Sequence, residues 1–302
     1  MNKDLCNKFF FVRTWFPDKL IDGKYKFNDG KHFKEYCDNE ICDKDVDKIN
    51  AGCLFLFDAI FMDSYLFTNY AKKNIDMVYY IIIWLSYMLS LKSHDNINNL
   101  KEFYDQYINN GDKYIKAITG VSDYKSYKDL IDKKQELMNM DMKIISKFYY
   151  SFVLLCNIHT EIDANISNCS KYLEKAQEFA KKYDDLNEDY NNTKDSLYNK
   201  ILSTLSNDYN VLKDKCNAAQ SINFPSLPTF SRRSVIKHTL ISIASIFVAV
   251  STFLGISYKV NNKEFKNYFH YIYASVNKKI ICFLKFYISI RYLDFGNDFK
   301  NI

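Results

Sequence analysis

The stretch Met77–Leu91, MVYYIIIWLSYMLSL, runs for fifteen residues without a charge. Whether it crosses a bilayer or fills a protein core decides what kind of fold the chain has. As an α-helix it rises about 22 Å, short of the ~30 Å hydrocarbon thickness of a bilayer. Lys72, Lys73 and Asp76 close it on one side and Lys92 on the other. It therefore reads as a helix apolar on every face and buried inside a globular domain. Such a rod must be surrounded, and its neighbours have helical patterning. Asp47–Phe67 contains KINAGCLFLFDAIF, and Tyr124–Ile162 reads as one or two long helices.

Composition agrees. The chain has 302 residues, of which 48% are hydrophobic and 17% aromatic, with only 7 Gly and 3 Pro. That much apolar material excludes wholesale disorder, and so few turn residues argue against a β sandwich. No alternating strand series and no solenoid-length repeat is present. The expected fold is all-α. Heavy use of Lys, Asn, Tyr, Phe and Ile follows AT-rich codons, so it says little about mechanism.

Charge divides unevenly along the chain. Residues 1–231 carry 30 Lys+Arg against 33 Asp+Glu, whereas residues 232–302 carry 11 against 3. A nucleic-acid binder would place its basic surface on the folded domain. Here the excess flanks a second apolar run, Thr239–Tyr258, TLISIASIFVAVSTFLGISY, twenty residues without a charge. As a helix it is ~30 Å long, which matches a bilayer. Its Leu, Ile, Val and Phe residues contribute on the order of −3 to −6 kcal/mol on an insertion scale, reduced but not cancelled by its Ser and Thr hydroxyls. Arg232, Arg233 and Lys237 precede it; Lys259, Lys263 and Lys266 follow. We expect a single transmembrane helix with ends at Thr239 and Tyr258 and membrane lipid as its partner. The N-terminal apolar run, Phe9–Val12, is too short for a signal-peptide core, so the Thr239 span would also direct membrane entry. Ile280–Leu293, interrupted by Lys285 and Arg291, is at best interfacial.

The expected organisation is a helical domain over residues 1–219 and a stalk over 220–238 that holds Pro225 and Pro228. The span follows over 239–258, and a basic tail over 259–302. Seven of the eight cysteines precede the span and Cys282 alone follows it. That distribution favours disulfides in an oxidising compartment, with an odd thiol left over. One pairing follows from helix geometry. Ser170–Asp189 has apolar positions Leu173, Ala176, Ala180 and Tyr183. Thr193 can cap a second helix with the stripe Leu197, Ile201, Leu205, Tyr209, Leu212 and Cys216. Folding about the polar turn Asp189–Asn192 brings Cys169 level with Cys216, the preferred bridge; Cys156–Cys169 competes with it.

Catalytic patterns are missing. The sequence has no Walker loop, GxGxxG, HExxH or GxSxG. His32, His94, His159, His238 and His270 are scattered. Asp184 with Asp185, and Glu188 with Asp189, read as a solvated helix end. Cys53 or Cys156 beside His159 is too common a combination to mark a nucleophile, and a metal site on His32, Cys37, Cys42 and Cys53 is disfavoured by its spacing. No enzyme activity, cofactor, metal, nucleic acid or small-molecule substrate is expected. The sequons at Asn165, Asn168 and Asn191 fit a lumenal face without establishing one.

Several segments together resemble the Plasmodium interspersed repeat (PIR) multigene family of malaria parasites, in its rodent-parasite branch. They are CNKFFFVRTWFPDKL at Cys6–Leu20, YCDNEIC at Tyr36–Cys42, KINAGCLFLF at Lys48–Phe57 and IIIWLSYMLSLK at Ile81–Lys92. Further on come FYYSFVLLC ending at Cys156, LSTLSNDYNVLKDKC at Leu202–Cys216 and FLGISYK at Phe253–Lys259. The resemblance implies a variant surface antigen with a helical, disulfide-containing ectodomain, a stalk, one transmembrane helix and a short tail. It also implies a place on the infected red-cell surface, exported vesicles or the parasite surface, and a part in immune evasion. The family's cysteines fall on Cys37, Cys42, Cys53, Cys156, Cys169 and Cys216. Partners would be host-cell surface receptors or antibodies. The tail after Lys259 departs from the family pattern, as either a genuine divergence or a misjoined last exon. Two rival roles stand beside the antigen: an adhesin for one host receptor, and a scaffold of exported membranes acting through its tail. Lys92–Ser126 and the 163–170 connection are the candidate variable surfaces.

Overall fold

The computed structural model describes residues 1–62, 76–118, 124–220 and 222–229, together with 271, 274 and 278. The chain divides into two compact units, Met1–Ser231 and Arg232–Ile302. In the second, Tyr271, Ala274 and Lys278 are helical and exposed. The Thr239–Tyr258 span, the end of the stalk and nearly all of the tail lie outside the described residues. No helix among the described residues is long and apolar enough to cross a membrane.

The first unit is helical. Its longer helices are α1 (Lys3–Trp15), α2 (Asp45–Phe61), α3 (Met77–Ser90), α4 (Phe148–Ala164), α5 (Leu173–Asn187) and α6 (Leu197–Gln220). Among the described residues β pairing is limited to isolated bridges at three turns, Ile21–Lys24, Asp38–Ile41 and His94–Ile97. The central element is α3. Met77 to Ser86, Met88 and Leu89 are all buried, so the helix has almost no outer face. It packs on α2, on α4 and on the short helix Met142–Ser146. Two of the charges that bracket it, Asp76 and Lys92, are paired across the fold. Asp76 accepts from Lys134 at 2.7 Å, and Lys92 pairs with Asp45. Trp84 fills the centre: its ring lies against Gly52 of α2 and 6.2 Å from the ring of Phe16. Gly52 is there because nothing larger fits.

The other helices close around this rod through aromatic contacts that end in polar anchors. Tyr80 stacks on Phe152 at 4.8 Å, and its hydroxyl donates to Asp208 of α6. Tyr87 stacks on Tyr149 at 4.0 Å; Tyr149 donates to Asp18 at 2.8 Å, and Asp18 also pairs with Arg13 of α1. Each tyrosine buries a ring while its hydroxyl finds a partner at the periphery. Burying each such large side chain stabilises the fold by about 1.5–3 kcal/mol.

Three disulfides staple the unit. Cys6–Cys156 joins α1 to α4, Cys169–Cys216 joins the turn before α5 to α6, and Cys37–Cys42 closes a short loop. Their Cα–Cα separations of 5.1, 5.7 and 5.1 Å are those of ordinary disulfides. Cys156, the rival partner for Cys169, is bonded to Cys6, which the family cysteine set omits. Cys53, which that set includes, is a free thiol buried in α2. Its neighbour in the core is Tyr114, and no second cysteine is bonded to it.

Several element boundaries differ from the sequence reading. Tyr124–Ile162 yields one long helix, α4, and three short pieces, Tyr127–Asp132, Gln135–Asn139 and Met142–Ser146. Ser126 and Asp141 accept the backbone N–H groups of Asp129 and Lys143, so each restarts the helix as an N-cap. The helix expected from Ser170 begins as a 3₁₀ segment, Ile166–Tyr172, and Phe179 is buried where Ala180 was expected. Thr193 is exposed; Ser196 accepts the N–H of Asn199 instead. The stretch assigned to the start of the stalk lies on the domain as far as Thr229. Phe224 is buried, and the Pro225 carbonyl accepts the Tyr209 hydroxyl at 2.8 Å.

A Cβ at position 52 would sit 2.6 Å from the Trp84 ring. Gly52→Ala should cost about 1–3 kcal/mol by overpacking, read as a lower urea midpoint; an unchanged midpoint contradicts this packing. The disulfides should rank by the loop they close, which spans 150, 47 and 5 residues. Paired Cys→Ser replacement should cost about 4–5 kcal/mol for each long loop and about 2 kcal/mol for Cys37–Cys42. Urea unfolding of the three double variants checks the order, and a larger loss at 37 and 42 than at 169 and 216 reverses it.

Candidate functional site

The nucleophile candidates do not form a site. Cys156 is spent in its bond to Cys6. Burial pushes the Cys53 thiol up to about 12, so at neutral pH it is a protonated core residue and not a nucleophile. His159 is fully buried, and neither ring nitrogen has a hydrogen-bond partner among the described residues. The weighed metal set is dispersed as well: Cys37 and Cys42 are bonded to each other and Cys53 is inside. Among the described residues no three His, Cys, Asp or Glu side chains could hold a metal ion. Of the paired carboxylates, Asp184, Asp185 and Glu188 are exposed, while Asp189 accepts from Lys147 at 2.7 Å.

What the fold does build is a displayed surface. The Cys37–Cys42 loop is a tight hairpin in which Asn39 and Glu40 both take positive φ, +49° and +62°. Ile41 N–H donates to the Asp38 carbonyl at 2.9 Å, and Lys113 ties the Cys37 carbonyl to the helix Asp112–Ile115 at 2.8 Å. A left-handed glutamate is uncommon and costs roughly 1 kcal/mol or more, which the disulfide holds in place. The hairpin carries Asp38, Asn39, Glu40 and Ile41 into solvent, Ile41 at 60% exposure.

Next to it runs a ribbon of half-buried rings. Trp15 meets His32 at 4.7 Å, His32 meets Phe11 at 5.1 Å, Phe11 stacks on Phe55 at 5.1 Å, and Phe55 meets Tyr36 at 5.9 Å. Apart from His32, weighed above as a metal ligand, sequence reasoning did not single these rings out. Three sit on α1 and α2, at positions where helical spacing turns them away from the buried stripe.

The two candidate variable surfaces are more ordered than expected. Within Lys92–Ser126, Ile97, Leu100, Phe103, Tyr104, Ile108, Tyr114 and Ile118 are buried. Leu100–Phe103 is helical, capped by Asn99, and passes directly into a π-helical turn, Tyr104–Ile108. The three- and four-residue spacing of Ile97, Leu100, Phe103/Tyr104 and Ile108 was present in the sequence, but intervening Asn, Asp and Lys obscured it. Among the described residues of this stretch only the outer faces are exposed. Between Asn98–Glu102 and Met138–Lys143 they border an open cleft of about 630 Å³. The 163–170 connection is pinned at both ends, by Asp163 and by the Cys169 bridge, and presents Asn165, Ile166 and Ser167 outward.

Comparison with known proteins places this architecture. Residues 6–259 match the family described as "Plasmodium variant antigen protein Cir/Yir/Bir". Among solved structures, that of a Plasmodium PIR protein ectodomain is similar, with 35% sequence identity and a TM-score of 0.62. The match covers 76% of this chain and 97% of that one. Among curated proteins no match is found. A helical unit stapled by disulfides, a family match over most of its length and a related ectodomain structure agree: the chain belongs to the Cir/Yir/Bir variant antigens of Plasmodium, the PIR proteins.

Proposed function

We propose that this chain is a membrane-anchored variant surface antigen that acts by display and recognition, without a catalytic step, in antigenic variation and immune evasion. The observation that carries this reading is the stapling of the domain: six of the seven cysteines before residue 231 pair in three bonds, the state expected in an oxidising compartment. Family membership supports a surface or exported address. Thr239–Tyr258 supplies the anchor from sequence alone, with the stapled unit on the lumenal or outer side and the basic tail on the cytoplasmic side. The displayed faces would be the Cys37–Cys42 hairpin, the outer faces of Lys92–Ser126 and the exposed Asn165–Ser167 turn. Outer positions there tolerate change because they do not fill the core.

The adhesin reading has one observation in its favour, the ribbon of rings from Trp15 to Tyr36 beside the exposed Ile41. Aromatic anchors of this kind dominate protein interfaces. The scaffold reading rests on the tail.

Immunofluorescence of infected cells with and without permeabilisation, using an antibody to the Cys37–Cys42 hairpin, tests the reading. Staining without permeabilisation, together with retention of the chain in the membrane pellet after carbonate washing, is expected. A chain released by carbonate or stained only after permeabilisation overturns it. Among paralogues, diversity should concentrate at the exposed positions of 92–126 and 165–167 and spare 77–90; uniform diversity counts against display. Removal of residues 260–302 should leave surface delivery intact, and failure of delivery would favour the scaffold.

A further inference from the structure

Where α1, α4 and α6 meet, the interior is polar in a way that display does not require. Asp163, near the end of α4, uses both carboxylate oxygens: one accepts the Lys3 backbone N–H at 3.0 Å and the other accepts Lys215 of α6 at 2.8 Å. One carboxylate thus joins three helices. One turn earlier on α4 lies His159, fully buried, with its Nδ1 3.7 Å from the Asp163 oxygen that holds Lys3. That distance is beyond a hydrogen bond. Asp208 of α6 also faces this region, but its oxygens accept the Met1 amino group and the Tyr80 hydroxyl of α3.

The geometry points to a pH-sensitive clamp: protonation of His159 loosens the junction of α1, α4 and α6. The neutral ring sits passively among these groups. A protonated ring carries two N–H donors and a charge, with the Met1 amino group as a like charge nearby. Every carboxylate oxygen near the junction already accepts one hydrogen bond, and the nearest to the ring, 3.7 Å from Nδ1, is out of hydrogen-bond reach in the closed form. Relief comes if Asp163 turns to His159 and gives up Lys3, or if water enters the junction. Both release the first turn of α1. The Cys6–Cys156 bond, one turn before His159, keeps α1 tethered, so the opening stays local and reversible.

Burial holds the His159 proton affinity below its ordinary value near 6.5, against the pull of Asp163. The folded form therefore resists a proton that the open form accepts. The closed state is fully favoured above pH ~6.5 and weakens by up to about tenfold per unit as pH falls below it. Burial alone would raise the Asp163 carboxyl, but the bond from Lys215 holds it below its usual range, so its own loss belongs to pH below about 4. The two windows are separate.

Hydrogen exchange of the full chain in lipid nanodiscs, corrected for intrinsic rates, reads the clamp directly. Between pH 7.5 and 5.0 the amides of Lys3–Cys6, the first turn of α1, should lose protection, by up to about thirtyfold. His159→Phe should abolish that dependence. His94→Gln should leave it intact, although burial also lowers the proton affinity of His94, because His94 stacks on Tyr25 away from this junction. If His159→Phe does not fold, His159→Leu serves. The NMR titration of the native His159 ring, which should follow the broadening of α1 amides, needs no variant. Protection of α1 unchanged at pH 5.0, or a loss that persists without His159, overturns the clamp. Neither result bears on surface display.

Discussion

Fourteen residues of α3 without a charge must be kept from water on every side. A helix of ~21 Å is too short to let lipid do this, so the rest of the chain does it. That constraint explains the aromatic bias at the level of contacts. Tyr80, Trp84 and Tyr87 follow one another along α3 at four- and three-residue steps, and each meets a ring on α4 or on the turn after α1: Phe152, Phe16 and Tyr149. The tyrosine hydroxyls resolve the remaining conflict at or near the edge of the core: Tyr87 donates to the Asp18 backbone carbonyl, Tyr149 to the Asp18 carboxylate and Tyr80 to the Asp208 carboxylate. Gly52 is the counterpart of Trp84: the close approach of α2 and α3 exists only because one of the two positions has no side chain.

The disulfides divide between two tasks. Cys6–Cys156 and Cys169–Cys216 close long loops and restrict the unfolded chain, while Cys37–Cys42 closes too short a loop to matter much in that way. Its effect is local. It holds Asn39 and Glu40 in a left-handed turn and so fixes which side chains the hairpin presents. Global stapling leaves outer positions free to vary without loss of the fold, and local stapling makes one exposed loop rigid. A displayed antigen needs both properties.

Much of the helical frame was legible in the sequence. The α3 run, the stripe from Leu197 to Cys216 and the turn that brings Cys169 to Cys216 all follow from spacing, because buried stripes recur at three- and four-residue steps wherever a helix has one inner face. Capping was less legible. Ser126, Asp141 and Ser196 are short polar residues among many others, and only their backbone partners reveal which of them start helices. Long-range pairing was illegible for the same reason: nothing local distinguishes Cys6, bonded across 150 residues, from Cys53, which is enclosed and alone. The displayed surfaces were half legible. Lys92–Ser126 is polar on its outer face, yet its buried anchors lie at helical spacing, hidden by composition and not by pattern.

The claim on which all of this depends is that the chain folds around α3 as a stapled helical unit with one enclosed thiol. A disulfide map by mass spectrometry, with free thiols alkylated after denaturation and before reduction, tests it most directly. The account predicts bonded peptides linking Cys6 to Cys156, Cys37 to Cys42 and Cys169 to Cys216, with Cys53 alkylated as the free thiol of the domain. Cys53 in any bridge, or Cys6 and Cys216 recovered as thiols, would contradict it.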